Sequence, residues 1–408
     1  MRVLLLGFNY LPESTSIGPY TADLAEFLTK RGHQVKVVAG FPMAPGWTVW
    51  DGYRGTWFKR EIVNGVPVLR TWAYVPRNPR KAINRIIFDT SFSLAAFVSG
   101  LLAGGRCDIL VVISPPLQLG VSAWLLGLLR GCRFIFHIQD LVPDAAVATG
   151  ALSEGIPLKA ARILEQFVYQ RSASIGVICN GFSENLLAKS VPASKLILLP
   201  DYIDLKFMRP HPRDNGFRKM HGLAAEDFVV MYSGSVGGKQ GLETFVDAAF
   251  DLRGRADIKF LLVGEGPYLP ELKERADRMK ISNLRFLPLQ ARDGLPEQLA
   301  AADVLAVTQK RAITDIVFPG KLLYYMAAGR PILASVSSES ETGKFITSHQ
   351  IGVVTAPEDS LALAGAVLQM RTQKVLEIGG RGRAVVEQYF DRNVVLPKFA
   401  DHLEKLAK

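Results

Sequence analysis

Gly234-Ser235-Val236-Gly237-Gly238-Lys239-Gln240-Gly241 stands between a short apolar run, Phe228–Tyr232, and a helix-patterned stretch, Leu242–Phe250. An apolar run of that length reads as a buried strand, so the glycines form a strand-to-helix turn. Glycines let backbone approach a phosphate closely, and a helix start supplies N–H donors and partial positive charge. Lys239 can add a full charge. The same pattern also serves as a tight turn with no ligand. It is also related to the dinucleotide fingerprint, for which Glu265 lies at a fitting distance for a ribose contact.

Outward from this turn the pattern repeats. Strands are expected at Lys259–Val263, Leu284–Leu287, Val304–Thr308 and Pro331–Ser335. Helices are expected at Tyr268–Arg278, Gly294–Ala301, Lys321–Ala328 and Ser360–Arg371. The first half alternates in the same way. Its expected strands are Arg2–Gly7, Gln34–Ala39, Val66–Ala73, Ile109–Ile113, Phe134–Ile138 and Ser174–Cys179, with a helix at Tyr20–Lys30. Alternation of this kind implies two α/β domains with mostly parallel sheets, and a ligand at the carboxyl ends of the strands. Leu198–Pro212, with three prolines, reads as the linker between them. The uncharged run Ile109–Leu129 is long enough to span a bilayer. Ser114-Pro115-Pro116 divides it into a buried strand and an apolar helix, Leu117–Leu129.

The length of 408 residues suits two domains of about 200 residues each. With 49% hydrophobic and 21% charged residues, a mostly disordered chain is excluded. Mean hydropathy is +0.16 and pI near 9.4. The net charge of +10 is uneven: residues 1–200 hold 20 Lys/Arg against 12 Asp/Glu, whereas residues 201–408 hold 28 against 26. Arg54 to Arg85 contributes eight basic residues against Glu61 alone, which suggests an anionic partner. Cys107, Cys132 and Cys179 are too few and scattered for a disulfide framework, and fit a reducing cytoplasm. The apolar run Val3–Phe8 is short for a secretory signal.

Two further stretches bear chemistry. In Asp315-Ile316-Val317-Phe318-Pro319-Gly320-Lys321 a Pro-Gly turn opens a helix with Lys321 in its first turn. A lysine there opposes the helix dipole, an oddity removed if Lys321 meets an anion. His137, Asp140 and Asp144 lie at and beyond a strand end, where a histidine with two carboxylates favours function over a purely structural role. No His or Cys pair has zinc spacing, and no nucleophile elbow or Walker loop occurs.

These residues resemble the family-4 retaining glycosyltransferases of the GT-B fold, in the bacterial exopolysaccharide and lipopolysaccharide branch that includes colanic-acid fucosyltransferase-like enzymes. The resemblance runs from the Phe8–Tyr20 loop and Arg31-Gly32-His33-Gln34-Val35 to Gly234–Leu242, Gly264–Pro267 and Tyr325–Pro331. It implies two Rossmann-like domains facing across a cleft. Residues 1–203 would bind acceptor and 204–385 a nucleotide-sugar, with 386–408 a C-terminal helix expected back on the first domain. It implies transfer with retention, without metal or other cofactor, and with UDP as the commoner nucleotide. Donor contacts are then expected from Gly234, Ser235, Gly237, Gln240, Glu265, Tyr324 and Glu341, with Gly18 closing from the other domain. His137, Lys239, Lys321 and Asp315 are the expected catalytic groups, and Asp140 and Asp144 face the acceptor. The family carries two glutamates where this chain has Ile316 and Tyr324. Asp315, one residue out of register, is the expected substitute for the first, and the Tyr324 phenol for the second.

The acceptor is expected to be a glycan or a lipid-diphosphate-linked sugar. Ile86–Leu102 is apolar and follows the basic segment, which suggests docking on an anionic membrane through Arg77, Arg80, Lys81, Arg85, Phe88 and Phe92. A buried core helix with a solvated lead-in fits the same residues. The expected location is cytoplasmic, peripheral on the inner face of the plasma membrane. Competing readings are a nucleotide-sugar-binding protein without transferase activity and a GT-B sugar-nucleotide epimerase. Nucleic-acid binding rests on charge alone and ranks last, with no recognised nucleic-acid fold.

Overall fold

The computed structural model describes residues 1–13, 17–44, 46–78, 81–148, 155–312, 319–372 and 375–408. The chain forms two compact units, residues 1–200 with 396–408, and residues 201–395.

The first unit is built on β1 (Arg2–Leu6), β2 (Gln34–Gly40), β3 (Phe58–Val63), β4 (Val66–Thr71), β5 (Ile109–Ser114), β6 (Arg133–Ile138), β7 (Ser174–Val177) and β8 (Leu196–Leu198). Their order is β3-β4-β2-β1-β5-β6-β7-β8. All neighbours are parallel except β3 and β4, a hairpin whose Val63 and Val66 pair across Asn64-Gly65. Asn64 and Gly65 have φ of 48° and 82°, the left-handed geometry that an Asn-Gly hairpin turn requires. Helices α1 (Gly18–Lys30), α2 (Ala82–Leu102) and α3 (Leu119–Arg130) follow β1, β4 and β5. The strand order reverses between β1 and β5, which opens a crevice beyond their carboxyl ends.

The second unit holds β9 (Phe228–Ser233), β10 (Ile258–Val263), β11 (Leu284–Leu287), β12 (Val304–Thr308), β13 (Ile332–Ser335) and β14 (Gly352–Thr355), all parallel, in the order β11-β10-β9-β12-β13-β14. Central β9 is buried along its whole length: Val229 and Met231 face one core, and Phe228, Val230 and Tyr232 the other. Burial on both faces explains why it reads as an unbroken apolar run. The reversal here falls between β9 and β12, so the Gly234–Gly241 turn leaves β9 at the switch point.

Leu198–Pro212, expected as linker, packs in part against the cores, with Leu199 buried. Ile203 and Met208 lie in the second core, and Ile203 bridges to Asp391. Residues 396–408 are tied into the first unit by side chains. Arg31 pairs with Asp401 at 2.5 Å and Glu404 at 2.8 Å, His33 meets Glu404 at 2.9 Å, and His402 meets Ser174 Oγ at 2.9 Å.

Close packing in the first unit leaves no room at Gly120 of α3. A Cβ there would sit 2.4 Å from Val168 Cγ1 and 3.2 Å from the Phe136 ring. Gly120→Ala is expected to destabilise the unit by about 1–3 kcal/mol. Calorimetry would show this as a melting point lower by several degrees, and an unchanged melting point would contradict the packing described.

Candidate functional site

The site in the second unit grows from the end of β9. Gly234 adopts φ of 136°, which a side chain would resist. Its N–H donates to Val263 O at 2.9 Å. The adjoining Gly264–Pro267 loop packs so tightly that a Cβ on Gly264 would lie 2.1 Å from Gly234 O, and one on Gly266 2.1 Å from Val236 O. The loops are stitched by Val236 N–H to Glu265 O, 2.9 Å, and Tyr268 N–H to Val236 O, 3.2 Å.

Side chains brace the turn from beneath. The Tyr325 hydroxyl donates to Ser233 O and accepts from Ser233 N–H, both at 2.9 Å. Gln298 donates to Ser233 Oγ at 2.8 Å, and Tyr232 OH to Ser235 O at 2.6 Å. Within the turn, Gln240 Oε1 accepts from Gly237 N–H at 3.1 Å, so this side chain shapes the loop it belongs to. Lys310 N–H donates to Lys239 O at 3.1 Å and holds the far side.

Lys321 enters this cradle from the first turn of helix Lys321–Ala327. Its Nζ is sealed from solvent with no hydrogen-bond partner among the described residues. It lies 3.7 Å above the Tyr232 ring centre, and a Cβ on Gly234 would be 3.1 Å from it. Burial lowers its pKa to about 7. An ammonium that is costly to bury and has no counter-ion among the described residues makes this cradle a candidate place for an anion. A glycine turn held in place by its own hydrogen bonds, beside a buried cation, suits a diphosphate.

The remaining expected residues fall as follows. Lys239, Ser235 and Glu265 are exposed on the two loops, Gly237 lies within the turn, and Tyr324 is half-buried beside Tyr325. Glu341 opens helix Glu341–Ser348, which Ser340 caps by accepting from Gly343 N–H. Asp315 and Ile316 lie outside the described residues.

In the first unit His137 is buried on β6, 2.9 Å from the Gln139 side-chain nitrogen and 5.3 Å from the Phe399 ring. Burial lowers its pKa to about 4, so it is neutral at pH 7. Gly176 makes room for it, because a Cβ there would be 2.6 Å from Nδ1. Asp140 is exposed beyond the strand. Asp144, expected toward the acceptor, is engaged by two cations. It takes hydrogen bonds from Arg162 at 2.6 Å and Lys189 at 2.5 Å, both also bound to buried Glu165. Burial pushes Asp144 up, but these two cations outweigh it and hold its carboxyl below the usual range.

Gly18 begins α1, packed on the carbonyl of Glu13. Glu13, absent from the expected set, is itself buried. It accepts from Met43 N–H at 2.6 Å, Ala44 N–H at 2.7 Å and Asn9 at 3.1 Å, fixing two loops at the crevice. Arg70, counted above in the basic segment, is fully buried, bound to Glu61 at 2.6 Å, Gly40 O at 3.1 Å and Leu11 O. Its place inside an apolar strand run was the available signal. Phe88 and Phe92, expected toward a membrane, are only 2% and 0% exposed and pack edge-on against Phe8. Arg77 and Lys81 are exposed, Arg85 lies over Trp47, and Arg80 is outside the described residues.

Residues 15–201 match the Glycosyl transferase 4-like domain, and residues 227–373 match Glycosyl transferases group 1. The chain is 32% identical over 379 residues, 90% of its length and 92% of the relative's, to Escherichia coli WcaI, named for colanic acid biosynthesis glycosyl transfer. It is 29% identical over 220 residues, 52% of this chain and 56% of the other, to a GDP-mannose-dependent phosphatidylinositol monomannoside mannosyltransferase of Mycobacterium tuberculosis. Among solved structures, Anabaena HepE in complex with UDP superposes with a TM-score of 0.73 at 17% identity, over 99% of this chain and 100% of HepE.

Because the folded state favours neutral Lys321, its penalty is full below pH 7 and fades toward the unfolded value of 10.5. Lys321→Met is therefore expected to raise the melting temperature of the ligand-free protein near neutral pH. The difference should shrink as pH rises toward 10. Parallel wild-type and variant curves across that range would contradict a desolvated, unpaired ammonium.

Proposed function

This chain belongs to the glycosyltransferases that join a glycosyl transferase 4-like domain to a group 1 domain, and from that membership we propose the finer features of its reaction. It is a GT-B glycosyltransferase, and the match across both domains favours transfer over a binding-only protein or an epimerase. In the proposed reaction a nucleotide-sugar, with UDP as the favoured nucleotide, gives its sugar to a glycan or lipid-diphosphate-linked acceptor of a bacterial surface polysaccharide. The kinship with WcaI supports the polysaccharide setting. The acceptor's lipid supports work at the cytoplasmic face of the plasma membrane.

The observation that carries the donor assignment is the buried Lys321 ammonium facing Gly234, with no hydrogen-bond partner among the described residues. When the glycosidic bond to the diphosphate breaks, negative charge grows on the leaving phosphate. A cation held in place stabilises that charge without needing to reorganise, which is where such sites gain most of their rate. We assign this work to Lys321, with Lys239 at the exposed edge, and propose that the reaction proceeds without a metal. Retention follows in this reading from front-face attack, the leaving phosphate taking the acceptor proton while the protein positions both partners. The GDP-mannose-dependent relative supports GDP as the second candidate nucleotide.

A thermal-shift panel of UDP, GDP and their sugars tests the donor site. A ligand at about 100 times its Kd stabilises by about 2.7 kcal/mol, which is a shift of several degrees for a unit of this size. One nucleotide family is expected to give that shift, and Lys321→Ala to lower turnover about 100- to 1000-fold. Absence of a shift with every nucleotide, or near-normal turnover of the variant at saturating donor, would overturn the assignment.

A further inference from the structure

Helix α2 is amphipathic in the wrong sense for water. Its inward residues are Phe88, Asp89, Phe92, Ser93, Ala96, Ser99 and Gly100. Its outward residues Ile83, Ile87, Leu94, Val98 and Leu101 recur at three- to seven-residue spacing and so form one stripe along the helix. The inner face therefore mixes aromatic with small and polar groups, and the outer face is largely aliphatic. Two hydroxyls there are bonded: Ser93 Oγ donates to Asp89 O and Ser122 Oγ to Ser93 O, both at 2.7 Å; Asp89 Oδ1 has no hydrogen-bond partner among the described residues but lies 3.5 Å from Arg85 Nε.

The stripe continues onto α3. The two helices approach closely at Gly100, where a Cβ would sit 2.5 Å from Leu126 Cδ1. Outward from this seam, Leu94, Leu128 and Leu129 are 64%, 64% and 66% exposed. Aliphatic side chains in such number and contiguity exceed what a monomer ordinarily leaves in water.

The rim identifies the occupant. Arg77 and Lys81 precede α2, Arg106 follows it, and Arg133 follows α3, all exposed. Between Arg77 and Arg133 the sequence holds only two carboxylates. Asp89 is buried beside Arg85, and Asp108 is held by Arg2. A second copy would bring the same cations face to face. An anionic bilayer offers hydrocarbon for the stripe and phosphate for the rim.

We propose that the outer face of α2 and α3 seats this protein on an anionic lipid surface, with α2 lying along the surface. Its 21 residues are long and apolar enough to cross a bilayer, but its inner face is fixed to the sheet through Phe88 and Phe92 on Phe8. The proposal rests on the reading above only in that a lipid-linked acceptor gives the enzyme a reason to be there.

Flotation of the full chain with vesicles containing about 30% phosphatidylglycerol tests it. Wild type is expected to float, and Leu94→Gln/Leu128→Gln to partition at least tenfold less, with its nucleotide-induced thermal shift unchanged. A second variant, Leu94→Trp, is expected to lose more fluorescence than wild type to lipids brominated on the acyl chain. Equal flotation of wild type and the double variant, no flotation of wild type, or quenching of Leu94→Trp no greater than that of wild type would overturn it. So would a solution dimer that the double substitution dissociates. A lost nucleotide shift in wild type would count against the donor site and leave the flotation result standing.

Discussion

An ammonium group buried without a counter-ion among the described residues is the constraint around which the turn at Gly234 is arranged. Lys321 Nζ rests on the Tyr232 ring, the one favourable contact that a cation can make with an aromatic face. That contact offsets only part of the cost of leaving water, which is why its pKa falls to about 7. Everything nearby keeps the group in place. Tyr232 also holds Ser235, Tyr325 grips both backbone groups of Ser233, and the Gly264 loop closes against Gly234 with no space for a side chain. The ligand-free site thus holds an unmet demand for negative charge, in a backbone that is already set.

This arrangement separates the charge that matters from the charge that composition reports. The second unit's sequence is close to neutral, yet it holds the buried cation to which the donor role is proposed. The first half carries the surplus, but its members do different things. Arg70 is internal and organises the loops at the crevice with Glu61, and Arg162 and Lys189 neutralise Asp144 and Glu165. Four exposed cations, Arg77, Lys81, Arg106 and Arg133, flank the helices α2 and α3 that carry an aliphatic face.

Much of the architecture is legible in the sequence because parallel central strands must be apolar throughout and their turns glycine-rich. β9, β10 and β12 and the turn at Gly234 are read directly from such runs. The edge strand β3 is not, since its alternating burial and basic residues resemble a solvated segment, although Asn64-Gly65 carries the hairpin signal. In the site, Lys321 stands out through its conflict with the helix dipole. Tyr325, Glu13 and Gly176 do not, because their roles depend on partners 30 to 92 positions away that no local pattern connects. The orientation of α2 escapes the sequence for a related reason. Aromatic residues are the expected lipid-facing groups, but in this helix Phe88 and Phe92 are the anchors to the sheet, and the smaller aliphatics face out.

In the proposed donor site, Lys321 is poised to be charged by its ligand. Phosphate beside Nζ raises its pKa again, so binding at a pH above 7 must draw a proton from solution. Titration calorimetry of the favoured nucleotide at about pH 8, in two buffers of different ionisation enthalpy, measures that proton directly. Uptake approaching one proton per site is expected in the wild type and none in Lys321→Met, which should also bind more weakly. Tight binding without proton uptake in the wild type would contradict a lysine charged by its ligand.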